Sequence, residues 1–235
     1  SKTTSIQPQI KNVLKIRDVK KFVGYQKARE LEKKIIEICK SFPHYEKKHV
    51  IDQILRSSES IKRRIAKGEQ VYIGEKFNQY SIAIGSAKET SAWLQMSLGQ
   101  NYISEEQFHD LENQVTEIVK ILTGNLVNIK RKKEQVMDLP SPYTPDVKNF
   151  DAYNQALLLV EKVYEITKEQ LFCREGLLKN GLRKNATSCA ANIAEAHQLY
   201  VPVTFHFFNN ALQALNGLDS LLDTSLSKGI VSKKN

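Results

Sequence analysis

An all-α fold, arranged as two up-down helical units in tandem, is what this sequence predicts. Two observations carry it. Glycine (10) and proline (6) are sparse across 235 residues, while charged residues reach 26% and hydrophobic residues 41%. That balance favours helices over sheets and supplies a core. The sequence also matches itself without a gap at an offset of 128 residues, so the second part repeats what the first part builds.

The self-match is extensive. Asp18-Val19-Lys20-Lys21-Phe22 falls on Asp146-Val147-Lys148-Asn149-Phe150. Tyr25, Ala28 and Leu31 fall on Tyr153, Ala156 and Leu159, and Ser60, Ile65 and Ala66 on Ser188, Ile193 and Ala194. Phe77, Ala83, Leu94 and Leu98 fall on Phe205, Ala211, Leu222 and Leu226. The second copy stops at the equivalent of Gln107. Pro140, Pro142 and Pro145 lie within six residues, a density that no helix tolerates and that makes a stiff extended connection. The expected organisation is a tail over residues 1–17, a four-helix unit over 18–133, a Pro-rich linker over 134–147, and a truncated unit over 148–235.

Within the first unit, Phe22, Leu31, Ile35 and Ile38 recur at helical spacing and predict a helix over Val19–Lys40. Phe42-Pro43 ends it. A second helix runs over Glu46–Lys67 and stops at Gly68, a residue suited to a helix C-terminus. A third begins near Glu75 and stops at Gly99. The fourth opens on Ser104-Glu-Glu-Gln107, a capping box. Short connections make neighbours antiparallel, giving an up-down bundle. The second unit predicts helices over Phe150–Gln170, Arg174–His197 and Thr204–Ser227, with no fourth. Three helices leave an apolar seam, to be covered by the N-terminal segment, the other unit or another chain.

No run approaches the length of a membrane span, and SKTTSIQPQIKNVLK lacks the apolar stretch of a signal peptide. Cys39, Cys173 and Cys189 have no paired spacing and read as reduced, buried thiols of a cytoplasmic protein. Net charge is +9, and residues 1–140 hold 25 basic against 17 acidic side chains, whereas 141–235 hold 10 against 9. Positive charge concentrated in one part points to a polyanionic partner, or to a surface tuned for solubility.

The stretch RKNATSCAANIAEA (Arg183–Ala196) is built almost wholly of small residues. Ala186, Cys189, Ala190, Ile193 and Ala194 share one helical face, which lets two helix axes approach closely. Asn192 and Glu195 then stand beside a tight crossing and can bond across it. Ser188-Cys-Ala-Ala-Asn192-Ile193-Ala194-Glu195-Ala196 resembles the S-I-x-x-N-I-A-E-G motif of a bacterial four-helix-bundle family. That family comprises the 23S rRNA intervening-sequence proteins and the accessory variability protein of diversity-generating retroelements. Its aromatic-x-x-Ala start (Tyr25 to Ala28; Tyr153 to Ala156) and Phe-Pro-x-x-Glu turn (Phe42 to Glu46) recur here. So do its Gln-x-x-Arg-Ser opening (Gln53 to Ser57) and its Gly-Ser-Ala-x-Glu element (Gly85, Ser86 and Glu89). The first unit keeps Gly85, Ser86 and Glu89 but has Arg64 and Lys67 where the motif has Asn and Glu. The second keeps Asn192 and Glu195 but loses the Gly-Ser-Ala-x-Glu element.

No catalytic constellation is present. The five histidines (His44, His49, His109, His197, His206) lack metal-ligand spacing, and His44 and His49 read as surface residues. No phosphate-binding glycine loop and no nucleophile elbow occur, so neither catalysis nor a cofactor or metal is expected. Basic side chains are more informative. Arg56, Arg63 and Lys67 form one stripe of the second helix, flanked by Lys62 and Arg64, and such stripes supply phosphate contacts. Lys130, Arg131, Lys132 and Lys133 end the fourth helix, where they serve either RNA or the helix dipole. Lys11, Lys15, Arg17, Lys20 and Lys21 add to the tail.

The resemblance implies a non-catalytic accessory protein that assembles into a homo-oligomer and binds nucleic acid, RNA rather than DNA, with a reverse transcriptase as partner. An oligomeric interaction scaffold without nucleic-acid binding is the competing expectation.

Overall fold

The protein is described here by a computed structural model covering residues 18–69, 73–133, 146–196 and 201–232, with side chains omitted at Lys133 and at 201–203. The described residues form seven α-helices and no strand: α1 Val23–Cys39, α2 Val50–Gly68, α3 Ile73–Gly99, α4 Glu105–Lys133, α5 Asp151–Ile166, α6 Gly176–Ala196 and α7 Val201–Ser227. The expected tail lies outside the described residues, as do 134–145 of the linker. None of the described helices is long and apolar enough to cross a membrane.

The helix starts follow from local chemistry. Asp18 Oδ1 accepts from Lys20 N at 3.1 Å and fixes a single 3-10 turn over Val19–Lys21, after which extended Phe22 (φ −78°, ψ 121°) opens α1. Hence α1 starts at Val23 rather than at Val19. The same device recurs 128 residues on, where Asp146 Oδ1 accepts from Lys148 N at 3.0 Å ahead of extended Phe150. The α4 capping box is as expected: Ser104 Oγ accepts from Gln107 N at 3.1 Å, and Gln107 Oε1 accepts from Ser104 N at 2.9 Å. The second helix starts at Val50, not at Glu46, because Glu46 belongs to a 3-10 turn that turns its carboxylate into the interior. The fifth ends at Ile166 instead of continuing to Gln170, since Gln170–Phe172 forms its own 3-10 turn.

Helices α1 to α4 close a cycle in which α1 packs on α2, α2 on α3, α3 on α4, and α4 back on α1. In the second half α6 packs between α5 and α7, and α6 and α5 both lean on α3. One continuous core runs through both halves. It explains why α3 lacks a broad polar face and why α6 keeps only a narrow one. Trp93, Tyr80 and Ile84 of α3 are buried, as are Ala186, Cys189, Ala190, Ile193 and Ala194 of α6, with Thr187, Arg183 and Ala191 besides. A helix flanked on three sides has little solvent-facing surface left.

Close approach accounts for two glycines. A Cβ at Gly68 would stand 2.9 Å from the buried Tyr80 ring, and one at Gly217 of α7 would meet Asn185 Oδ1 of α6 at 2.5 Å. Gly68 is therefore a contact residue as well as a helix end.

Among the described residues, the apolar face of α7 is only partly covered. Helix α7 packs on α6, but Phe205, Leu212 and Leu215 stay exposed, as does Leu158 of α5. Their counterparts Phe77, Ile84 and Ala87 in α3 are buried. Cys39 and Cys189 are buried free thiols, as expected, whereas Cys173 is exposed because it sits on the turn beyond Phe172.

Candidate functional site

The basic residues singled out on α2 do not form one free stripe. Arg56 pairs with Asp52 at 3.1 Å and Arg63 with Glu59 at 3.2 Å, one helical turn away in each case. Lys62 turns toward α1 and pairs with Glu32 at 2.5 Å. Arg64 turns toward α3, where its Nη1 donates to Gln79 Oε1 at 3.2 Å while its Nε is buried without a hydrogen-bond partner. Lys67 is exposed. Arg131 and Lys132 are exposed at the end of α4, Lys130 is half-buried, and the Lys133 side chain lies outside the described residues.

Glu89 and Glu195, one from each half of the chain, in contrast meet. Glu89 of α3 and Glu195 of α6 hydrogen-bond to one another where the halves of the chain join. Burial and the Glu89 charge push the Glu195 carboxyl up to about 9, with Arg64 opposing; Glu89 is raised as well, by burial. Two adjacent carboxyls in a desolvated place resist ionising together. Glu89 also accepts from Trp93 Nε1 at 3.2 Å. Ser86 Oγ donates to Ser60 Oγ at 2.9 Å, tying α3 to α2, and Gly85 is buried in the same helix. Asn192 does not bond across the crossing as expected. Its Nδ2 donates to Ser188 O at 2.7 Å within α6, which leaves Glu195 as the bonding group.

A second contact joins the halves nearby. Glu46 Oε1 accepts from Tyr102 OH at 2.8 Å and from Tyr164 OH at 3.2 Å, and lies 3.9 Å from Arg183 Nη1. Arg183 stacks 4.4 Å from the Tyr164 ring centroid and donates from Nε to Thr167 Oγ1 at 2.8 Å. Both charges are nearly inaccessible, at 2% for Glu46 and 4% for Arg183. Each buried charge thus has hydrogen-bonding or stacking partners besides the other, as burial of an ion pair requires.

His49 also belongs to this junction and not to the surface. Its Nε2 is 2.7 Å from Thr187 Oγ1 of α6, its ring meets Trp93 edge-on, and burial with nearby Lys184 lowers it to about 4. It is therefore neutral near pH 7.

These residues line two adjoining cavities. One of about 160 Å³ is bounded by Gln53, Trp93, Ser188, Asn192 and the carboxyl pair. The other, of about 90 Å³, is bounded by Tyr45, Lys48, Asn180 and Arg183, and both share His49 and Lys184. Among the described residues no three His, Cys, Asp or Glu side chains group as metal ligands. Tyr45, His49, Arg183 and Lys184 escaped the sequence reading. The only signal was Arg183, a lone charge opening an otherwise small and apolar helical face.

No curated protein and no solved structure matches the chain significantly. One family model does, that of the 23S rRNA-intervening sequence proteins, over residues 20–124. This span holds Tyr25 to Ala28, the Phe-Pro-x-x-Glu turn, Gln53 to Ser57 and Gly85 to Glu89. Over α1–α4 the chain is thus similar to the 23S rRNA-intervening sequence proteins.

Proposed function

We propose that the protein is a non-catalytic accessory protein that binds structured RNA. The observation that carries this reading is the match of residues 20–124 to a family described by 23S rRNA intervening sequences, in the part of the chain that holds the excess of positive charge. The exposed groups suited to phosphate contact are Arg56, Arg63 and Lys67 on α2, with Arg131 and Lys132 at the end of α4. Their intrahelical partners are exchangeable, because exposed ion pairs contribute little.

In this reading the chain is a tandem pair of family-like units, the first with four helices and the second with three. The recurring Asp cap before Phe22 and Phe150 supports it. A reverse transcriptase and further copies of the chain are the partners that the resemblance suggests, in the cytoplasm. The test is a gel-shift titration with a structured 23S rRNA fragment at rising salt. Affinity should fall steeply with salt and with reversal of Arg56, Arg63 and Lys67. Salt-indifferent affinity overturns the reading.

A scaffold without an RNA role is the second reading, favoured by exposed Phe205 (74%) and Leu212 (59%) on α7. Capture of a partner that survives nuclease treatment, with no gel shift, would support it.

A further inference from the structure

The junction between the halves carries positive charge that no described acidic side chain pairs with. Lys48 on the turn before α2, and Lys179 and Lys184 on α6, make no ion pair among the described residues. The acidic groups beside them are already satisfied. Glu46 is held by two tyrosine hydroxyls and Arg183, and Glu89 faces Glu195 with both carboxyls raised by burial. The charge that faces solvent is therefore positive.

An aromatic ring stands in the middle of these cations. Tyr45 is 60% exposed, with Lys179 Nζ 6.0 Å and Arg183 Cζ 5.7 Å from its ring centroid. An exposed tyrosine among ammonium groups is the combination by which single-stranded nucleic acid is held. Bases stack on the ring and phosphates meet the cations. Double-stranded RNA offers no free base face for such a ring.

The cavity beyond Lys184 adds depth. At about 160 Å³ it is comparable to engineered cavities of roughly 150 Å³ that admit one six-membered ring. Those are apolar, whereas this one is edged by the Gln53 and Asn192 amides, Ser188 and the carboxyl pair. Amides and a carboxyl pair raised by burial provide both donors and acceptors, as the edge of a pyrimidine base requires.

We propose that the groove between the halves of the chain binds unpaired RNA, stacking one base on Tyr45, holding phosphate at Lys48 and Lys184, and admitting a pyrimidine to the cavity beyond. This rests on the RNA reading above and adds a second, single-stranded site to it. It engages the second half of the chain, which lies outside the family match.

The test is fluorescence anisotropy with fluorescein-labelled U12, A12 and the structured 23S rRNA fragment. Wild type should bind U12 more tightly than A12. Tyr45→Ala should weaken U12 binding about fivefold or more, the scale of one lost base stack. Lys48→Glu with Lys184→Glu should weaken it about tenfold or more, by reversal of two phosphate contacts. All three residues are exposed, and circular dichroism melts check that the variants fold. Lys33→Glu with Lys120→Glu, an equal charge change on the exposed surface of α1 and α4, is the control and should change U12 binding little. If control and groove variants lose affinity equally, the groove is not the site. If U12 binding survives the groove variants but is lost on reversal of Arg56, Arg63 and Lys67, the RNA reading stands and the groove fails. If neither U12 nor the structured fragment binds, both fail.

Discussion

Glu89 and Glu195 share a hydrogen bond across the junction, each supplied by a different half of the chain. Each is the acidic residue that its half of the motif retains, while their counterparts at the 128-residue offset are Gly217 and Lys67. The two carboxyls are thus supplied by positions that the other half does not repeat.

That pair sets a pH dependence whose sign is fixed by the direction of the shifts. Both carboxyls are raised in the folded state, so the folded protein keeps a proton that the unfolded chain releases near pH 4.3. The contribution is fully present below that pH and is lost as pH rises toward about 9 for Glu195, at up to about 1.4 kcal/mol per pH unit for one proton. Glu195→Gln keeps a donor to Glu89 without the titrating proton. Its stability should therefore fall less between pH 6 and pH 9 than that of wild type. Thermal melts across this range decide it, and parallel slopes for the two proteins would refute the raised Glu195 carboxyl.

Glu46 and Arg183 give the second prediction. Removing one partner of a buried pair leaves the other charge desolvated, at a cost of about 3–5 kcal/mol. Arg183→Met should fall in that range. Glu46→Gln with Arg183→Met should cost less than the two single changes added together, since no charge is then stranded. Urea titrations of the four proteins measure the difference. Strict additivity would mean that the 3.9 Å approach carries no coupling.

Glycine substitutions separate contact from conformation. Gly124 lies on an exposed part of α4 with nothing within 4 Å of an added Cβ, so Gly124→Ala should stabilise by about 0.5–1 kcal/mol through helix propensity alone. At Gly68 the same propensity gain is opposed by the Tyr80 ring at 2.9 Å. That ring is fully buried and also hydrogen-bonds Glu69, so it cannot swing aside. Overpacking costs about 1–3 kcal/mol, and Gly68→Ala should lower the melting temperature. If both variants shift the melt in the same direction, the contact at Gly68 is not the reason for its glycine.

Helices were legible because their signals are local. The Ser104–Gln107 box and the apolar spacing of α1 act within a few residues. The junction was not legible, because it joins residues such as Glu46 and Tyr164, 118 positions apart. Small residues in α6 announced close packing without saying on what. They serve α3 as well as α5 and α7, which no single-helix periodicity encodes. Arg64 shows the same limit. By sequence it flanks a basic stripe, yet its contact is Gln79 on α3, because residues one position apart on a helix, such as Arg63 and Arg64, point about 100° apart.

The uncovered face of α7 yields the last prediction. Phe205 and Leu212 are exposed at 74% and 59%, although their counterparts Phe77 and Ile84 in α3 are buried. Exposed apolar side chains contribute little to the fold that displays them, and surface changes usually stay within about 0.5 kcal/mol. Phe205→Glu with Leu212→Glu should therefore leave the thermal melt of the chain nearly unchanged. Contiguous apolar surface drives association in water, so if copies of the chain assemble through this face, the same pair of changes should lower the particle mass measured by light scattering. A mass that stays the same at concentrations where wild type is oligomeric would place assembly elsewhere. A large drop in melting temperature would mean instead that α7 is held by these side chains within the chain.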